Sequence, residues 1–215
     1  MRLPRPPVLL ITDRTQAAAP LERVVAAALE AGCRWVLLRE KDLEPGARRA
    51  LLCRLVELGR PHGAWITVSA DLDAAAAAGA AGVHLPAGGD PARARSLLGP
   101  EALIGVSAHD KAEARSAADA GADYVTLSPI FASPSKPGYG PALGPDGLQE
   151  AAACLSVPVI ALGGLAPGNA ASCLAAGAAG IAVMGEIMRA PDPGAAMRSL
   201  IQVLTPAGAN LCHNS

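Results

Sequence analysis

Arg39 and Lys41, two cations separated by one residue, are the groups in this chain of 215 residues best suited to hold an anion. Residues two apart point to the same side of an extended segment, and together they could neutralise an oxyanion or phosphate. Lys136 lies on the loop 129–145, from which it could close over them, and it counts as a catalytic candidate. The run Arg39-Glu40-Lys41-Asp42 also reads as a solvated charge cluster that pairs with itself, and the segment alone leaves both readings open. His84 and His109 carry imidazole, the side chain whose ordinary range lies nearest neutrality, and are the candidate acids or bases. His84 sits between Val83 and Leu85, which suits a hydrogen-bonded packing role, whereas His109 falls in a polar turn. His62 and His213 lie in a turn and in the tail and are set aside. Ser69, Ser107, Ser128, Ser133 and Ser135 supply candidate hydroxyl donors for a substrate. No base adjoins Ser107 or Ser128, which argues against a covalent serine mechanism.

These residues follow short apolar runs that alternate with Ala/Leu/Arg stretches of helical spacing from one end of the chain to the other. The spacing predicts strands over Val8–Asp13, Trp35–Glu40, Trp65–Ser69, Gly82–Leu85, Leu103–Ser107, Tyr124–Ser128, Val159–Leu162 and Ile181–Met184. Helices are predicted over Pro20–Ala31, Pro45–Leu58, Leu72–Ala78, Pro91–Leu98, Lys111–Ala120, Asp146–Leu155, Asn169–Ala176 and Pro193–Leu204. Eight strand–helix units averaging roughly 27 residues predict an α/β chain folded as one (β/α)8 TIM barrel of parallel strands over 1–205, followed by a loose tail, 206–215. An open doubly wound sheet would carry a glycine-rich loop after the first strand. That turn is instead Thr12-Asp13-Arg14-Thr15.

Barrel sites are built from the loops at the C-terminal ends of the strands, where the residues named above fall. There, too, Gly163-Gly164 and Gly185 each precede a helical segment, so that backbone N–H groups and a helix N-terminus could grip a phosphate. Glycines at such places also relieve crowding where strand passes into loop. Their position after the seventh and eighth strands favours the phosphate reading.

Composition narrows the classes. Eighteen Lys+Arg against nineteen Asp+Glu leave a net charge of −1, so no field attracts a polyanion, and two Trp, two Tyr and one Phe are too few for base stacking. Nucleic acid is not an expected partner. Five scattered cysteines, odd in number and without CxxC spacing, suit a reducing cytoplasm and no thiolate metal site. Val8–Ile11 is too short for a signal peptide, and the apolar stretch from Val157 to Met184 is interrupted by prolines and glycines, so neither secretion nor a membrane is expected.

The segments Leu9-Leu10-Ile11-Thr12-Asp13, Leu38-Arg39-Glu40-Lys41, Gly82-Val83-His84-Leu85, Ile104-Gly105-Val106-Ser107, Ser128-Pro129-Ile130-Phe131, Ala161-Leu162-Gly163-Gly164 and Gly180-Ile181-Ala182-Val183-Met184 resemble the thiamine phosphate synthase superfamily. That superfamily includes a branch of TenI-like thiazole tautomerases. The resemblance covers almost the whole chain and implies a phosphorylated thiazole as the small-molecule partner, with a homo-oligomer possible. It implies a diphosphate cradle of Arg39, Lys41, Ser107, Ser135 and Lys136, a substrate contact at Ser133, and a thiazole-phosphate loop at Gly164.

The departures from the family pattern are specific. Leu37 stands where the family has glutamine, Ser69-Ala70 where it has an Asn-Asp pair that reads the pyrimidine and ligates magnesium, and Gly89, next to Asp90, where it has a second magnesium aspartate. With those carboxylates gone a hard cation has little to bind. Leu85-Pro86 and Ala182-Val183-Met184 look more like the tautomerase branch, although Pro129 replaces its proton-transfer histidine. The leading expectation is therefore a TenI-like enzyme with metal-independent acid–base chemistry and no cofactor, using His109 or His84. The alternative is thiamine phosphate synthase itself, with Mg2+ held by Asp90, Asp13 or substrate oxygens. A non-catalytic binder of thiazole or thiamine phosphate is the third reading.

Overall fold

A computed structural model describes residues 3–133 and 141–204. Eight strands form one closed parallel barrel in sequential order: β1 (Val8–Ile11), β2 (Trp35–Leu38), β3 (Trp65–Ser69), β4 (Gly82–Leu85), β5 (Leu103–Ala108), β6 (Tyr124–Leu127), β7 (Val159–Leu162) and β8 (Gly180–Val183), with β1 pairing to both β2 and β8. Around it run α1 (Leu21–Glu30), α2 (Pro45–Gly59), α3 (Leu72–Ala78), α4 (Pro91–Leu98), α5 (Lys111–Asp119), α6 (Gly144–Cys154), α7 (Pro167–Ala175), α8 (Gly185–Met188) and α9 (Pro193–Leu204). The predicted (β/α)8 architecture is the observed one.

Closure follows from side-chain parity. Successive residues of a strand face opposite sides, so one set meets the helices and the other fills the barrel. Val8, Leu10, Val36, Leu38, Val83 and Val125 belong to the large outer core against the helices. Leu9, Ile11, Trp35, Leu37, Leu103, Tyr124, Ile160 and Ala182 form a separate inner core. The helices are short and rich in alanine, which lets them lie close on the strands. Four of them start at an aspartate whose side chain accepts a backbone N–H: Asp71 from Ala74 (2.9 Å), Asp90 from Arg93 (2.9 Å), Asp110 from Glu113 (2.8 Å) and Asp192 from Ala195 (2.8 Å).

Four predicted strands overran, β6 and β8 by one residue, ending at Leu127 and Val183, and β1 and β2 by two. β1 stops at Ile11 rather than Asp13, because the Asp13 side chain caps a 3-10 turn, Arg14–Gln16. β2 stops at Leu38 rather than Glu40, and Lys41 opens a turn. The expected tail 206–215 lies outside the described residues.

Inside the barrel Tyr124 meets Trp35 edge to face, with ring centroids 4.8 Å apart. It has this course because β5 presents Gly105 beneath it: a Cβ there would collide with the Tyr124 Cζ, Cε1 and hydroxyl. Gly105→Ala should therefore destabilise the barrel by roughly 1–3 kcal/mol through overpacking. Urea denaturation checks this, and combining it with Tyr124→Leu should recover part of the loss.

Candidate active site at the C-terminal rim

The inward parity of β3 to β6 brings Ser69, His84, Ser107 and Thr126 to neighbouring positions in the ladder, with pairings Ser69 to His84 and Ser107 to Thr126. His84 is buried and hydrogen-bonded on both ring nitrogens. Nδ1 is 3.0 Å from the Tyr124 hydroxyl, and Nε2 is 3.0 Å from Ser107 Oγ and 3.2 Å from Thr126 Oγ1. Burial, reinforced by the Arg39 charge, lowers the His84 pKa from 6.5 to about 4, so the ring is neutral near pH 7. Burial pushes the Tyr124 phenol well above its ordinary range, keeping its proton in place. Ser107 is only half-buried and stands between this network and the rim.

The charges beside it do not pair as the sequence suggested. Glu40 is 2% exposed and belongs to Arg14 rather than to its chain neighbours. Both carboxylate oxygens accept from the Arg14 backbone N–H at 3.1 Å, and Oε2 also from its guanidinium at 3.3 Å. The same guanidinium binds Asp42 at 2.6 Å. Among the described residues neither Arg39 nor Lys41 has a salt bridge to an acid. The Thr12 hydroxyl pins the Arg39 backbone N–H (3.0 Å), and the Arg39 charge is felt at both His84 and Asp13. Arg39 and Lys41 line a cleft of about 270 Å³ with Asp13, Thr15, Glu40 and Asp42. Lys41 also borders a groove of about 780 Å³ that reaches Ser69, Arg48 and Arg93. The two cations thus share a concavity, by way of a turn rather than an extended segment.

Gly163 and Gly164, after β7, have φ of +102° and +63°, and a Cβ on Gly164 would strike Ala132 O and Phe131. Crowding alone accounts for a glycine there, as one of the two sequence readings held. The same loop is organised for a helix start: Asn169 Oδ1 accepts from Ala166 N–H, and its Nδ2 donates to Gly164 O, each at 2.9 Å. Gly185 opens the four-residue α8, with the Arg189 guanidinium lying over it. Ser128 is half-buried at the end of β6, with its N–H donating to Ala108 O (3.0 Å), and Ser133 lies further along that loop. Ser135 and Lys136 fall outside the described residues.

His109 is drawn out of the network. Its Nδ1 lies 2.9 Å, and its backbone N–H 2.8 Å, from Glu113 Oε2 at the start of α5. No group of three or more His, Cys, Asp or Glu among the described residues is gathered for a metal. Each carboxylate near the expected magnesium site has other work. Asp13 is held by Thr15 and Gln16, Asp90 caps α4, and Asp71 caps α3 while binding Arg48 at 2.6 Å. Burial would raise the Asp13 and Asp71 carboxyls, but these hydrogen bonds and the nearby arginines hold them below the usual carboxylate range. Gly89 has no room for the family's aspartate in this loop, since a Cβ would stand 2.7 Å from Leu85 Cβ and 3.0 Å from Pro86 O. Ala70 occupies the left-handed region (φ 59°), which Asn or Asp tolerates better than Ala. The described residues do not fit a resident Mg2+.

Sequence reasoning missed Arg14, Glu40, Tyr124 and Thr126. The parity of Tyr124-x-Thr126-x-Ser128 pointed the last two inward. Nothing local linked Arg14 to Glu40, 26 residues away.

A family model described as "Thiamine monophosphate synthase" matches residues 8–187. A "Putative thiamine-phosphate synthase" of Geobacter sulfurreducens is 44% identical over 92% of this chain and 93% of its own length. A "Thiamine biosynthesis bifunctional protein ThiM/ThiE" of Symbiobacterium thermophilum is 45% identical over 83% of this chain, which spans only 37% of that protein. The solved structure of a thiamine phosphate pyrophosphorylase from Pyrococcus furiosus superposes with a TM-score of 0.81 at 29% identity, covering 92% of this chain and 94% of the other.

These findings overturn the tautomerase expectation, since further relatives at 40–41% identity also bear the name thiamine-phosphate synthase. The physical reason agrees with them. Pro129 stands where the tautomerase branch has its histidine, both nitrogens of His84 are engaged, and His109 is bound to Glu113.

A buried neutral histidine leaves a thermodynamic trace. The unfolded chain binds the His84 proton more tightly than the folded one, so its contribution to stability is complete above about pH 6.5 and is lost as pH falls to about 4. The loss should be on the order of 3 kcal/mol relative to a non-titrating side chain. Urea midpoints of the native chain and His84→Gln across this range measure it, and a difference that stays constant with pH would contradict the neutral buried assignment.

Proposed function

Because the chain belongs to the thiamine monophosphate synthase family, we propose that it is a transferase joining a pyrimidine diphosphate to a thiazole phosphate, with release of diphosphate. The carbon–oxygen bond to the diphosphate breaks and the leaving group takes the electron pair. The thiazole nitrogen then supplies the lone pair of the new carbon–nitrogen bond. Departing negative charge is the main burden, and stabilising it is the task of preorganised cations and hydrogen-bond donors. Arg39, Lys41 and the Ser107 hydroxyl are offered as those groups, with Ser135 and Lys136 proposed to join them from the loop after β6. The thiazole phosphate is assigned to Gly163, Gly164 and Gly185, with Ser128, Ser133 and Ser69 as further substrate contacts.

The observation that carries this reading is the diversion of Glu40 and Asp42 to Arg14, which leaves the side chains of Arg39 and Lys41 without a described salt bridge at a concave rim. Mg2+ is the ion that the family resemblance implies for this chemistry. The described carboxylates do not form a site for it.

The purified chain, given both substrates with MgCl2 present, should form thiamine phosphate and diphosphate in equal amounts. Arg39→Ala and Lys41→Ala should each lower kcat/KM by roughly 10–100-fold, the worth of one charge-assisted hydrogen bond of about 1.5–3 kcal/mol. Failure to form any thiamine phosphate, with binding of the thiazole phosphate retained, would favour the binder reading.

A further inference from the structure

We propose that Tyr124, acting through His84, locks Ser107 into one hydrogen-bonding sense, so that its hydroxyl proton points at the rim as an obligate donor to the bound diphosphate group. In this arrangement Tyr124 and His84 are positioning residues, and Ser107 is the residue that touches the anion. The inference deepens the reading above and rests on it.

Three hydroxyls surround a single imidazole: Tyr124 at Nδ1, and Ser107 and Thr126 at Nε2. A neutral imidazole has one lone pair and one N–H, so only one side of the ring can accept. The phenol is the most acidic of the three hydroxyls and the strongest donor. Its oxygen is wholly buried, and His84 is the hydrogen-bond partner the described residues offer it. Left undonated, that buried O–H would bear the cost of an unmade hydrogen bond. Tyr124 therefore donates to Nδ1, which places the ring proton on Nε2. The Nε2–H in turn donates to the oxygens of Ser107 and Thr126. Ser107 Oγ, acting as acceptor on its inner side, has its own proton left for the outer side, where it is half-exposed, and the ring beneath it feels the Arg39 charge. The opposite tautomer would invite the Ser107 proton inward to a bare Nε2 and offer an incoming anion only oxygen lone pairs, which repel it.

Two other arrangements in the fold support a purpose for the column. Gly105 is the residue that lets the Tyr124 ring cross to His84 at all. The Arg39 charge and burial together oppose protonation of the ring, which would abolish the distinction between its two sides.

The test combines nitrogen NMR of histidine-labelled protein with titration by inorganic diphosphate. At pH 7.5 the His84 ring of the native chain should show the Nε2–H tautomer. Tyr124→Phe removes the phenol donor and keeps the ring. It should bring in the Nδ1–H form and weaken diphosphate binding about 5-fold. Ser107→Ala should weaken binding by a similar factor in the native background and add little in the Tyr124→Phe background. A native ring in the Nδ1–H form overturns the lock, and this measurement stands whether or not the variants fold well. So does full additivity of the two substitutions, or unchanged affinity in Tyr124→Phe. If the native chain shows the Nε2–H form but binds no diphosphate, the assignment of the rim as the diphosphate site fails, and with it the role given to Ser107.

Discussion

Burial of one carboxylate organises the charge of this rim. Glu40 lies almost wholly out of water, a position that a carboxylate occupies only when its oxygens are satisfied. Arg14 satisfies them with a backbone N–H and a guanidinium, and the same guanidinium reaches on to Asp42. One arginine from the loop after β1 thus absorbs both acids of the Arg39-Glu40-Lys41-Asp42 run. It ties the first two strand-end loops together and leaves two positive charges facing a cleft.

The polar column inside the barrel solves a related problem by different means. Most of the barrel interior is aliphatic or aromatic, yet Thr67, His84, Tyr124 and Thr126 are buried there. They are tolerated because they find partners: Thr67 donates to Val36 O, and the other three meet at one imidazole. A satisfied network of this kind has few arrangements open to it, so it fixes the direction of protons as well as the positions of atoms. Its upper end is Ser107, and its charge environment is set by Arg39, so the two halves of the site act on each other. The Trp35 indole nitrogen, also buried, finds no oxygen or nitrogen partner among the described residues, and its ring packs against the Tyr124 ring.

The carboxylates of the neighbouring loops illustrate what helix capping takes away from chemistry. Asp71, Asp90 and Asp110 each close the N-terminus of a helix, and Asp13 does the same for a 3-10 turn. An oxygen that accepts a backbone N–H inside a tight turn is oriented along the chain rather than into the barrel mouth. Short helices packed around a barrel of this size need such caps, because each has few internal hydrogen bonds of its own.

The order of elements, the strand parity and the rim location of Arg39, Ser69, His84, Ser107 and Ser128 could be read from the residues alone, because period-two and period-3.6 patterns are local properties of the chain. The replacement of the family's carboxylates at Ser69-Ala70 and Gly89 was also plain from the residues, whereas the crowding at Gly89 appeared only in the folded loop. The extent of β1 and β2 was overread, since an apolar run does not announce the cap at Asp13 or the turn at Lys41. The choice between a self-paired charge run and a pair of cations left for an anion belonged to the tertiary structure. It depends on Arg14, a residue distant in sequence that only barrel closure brings to Glu40. The direction of the His84 hydrogen bonds belonged to it as well, because three strands must come into register before three hydroxyls compete for one ring.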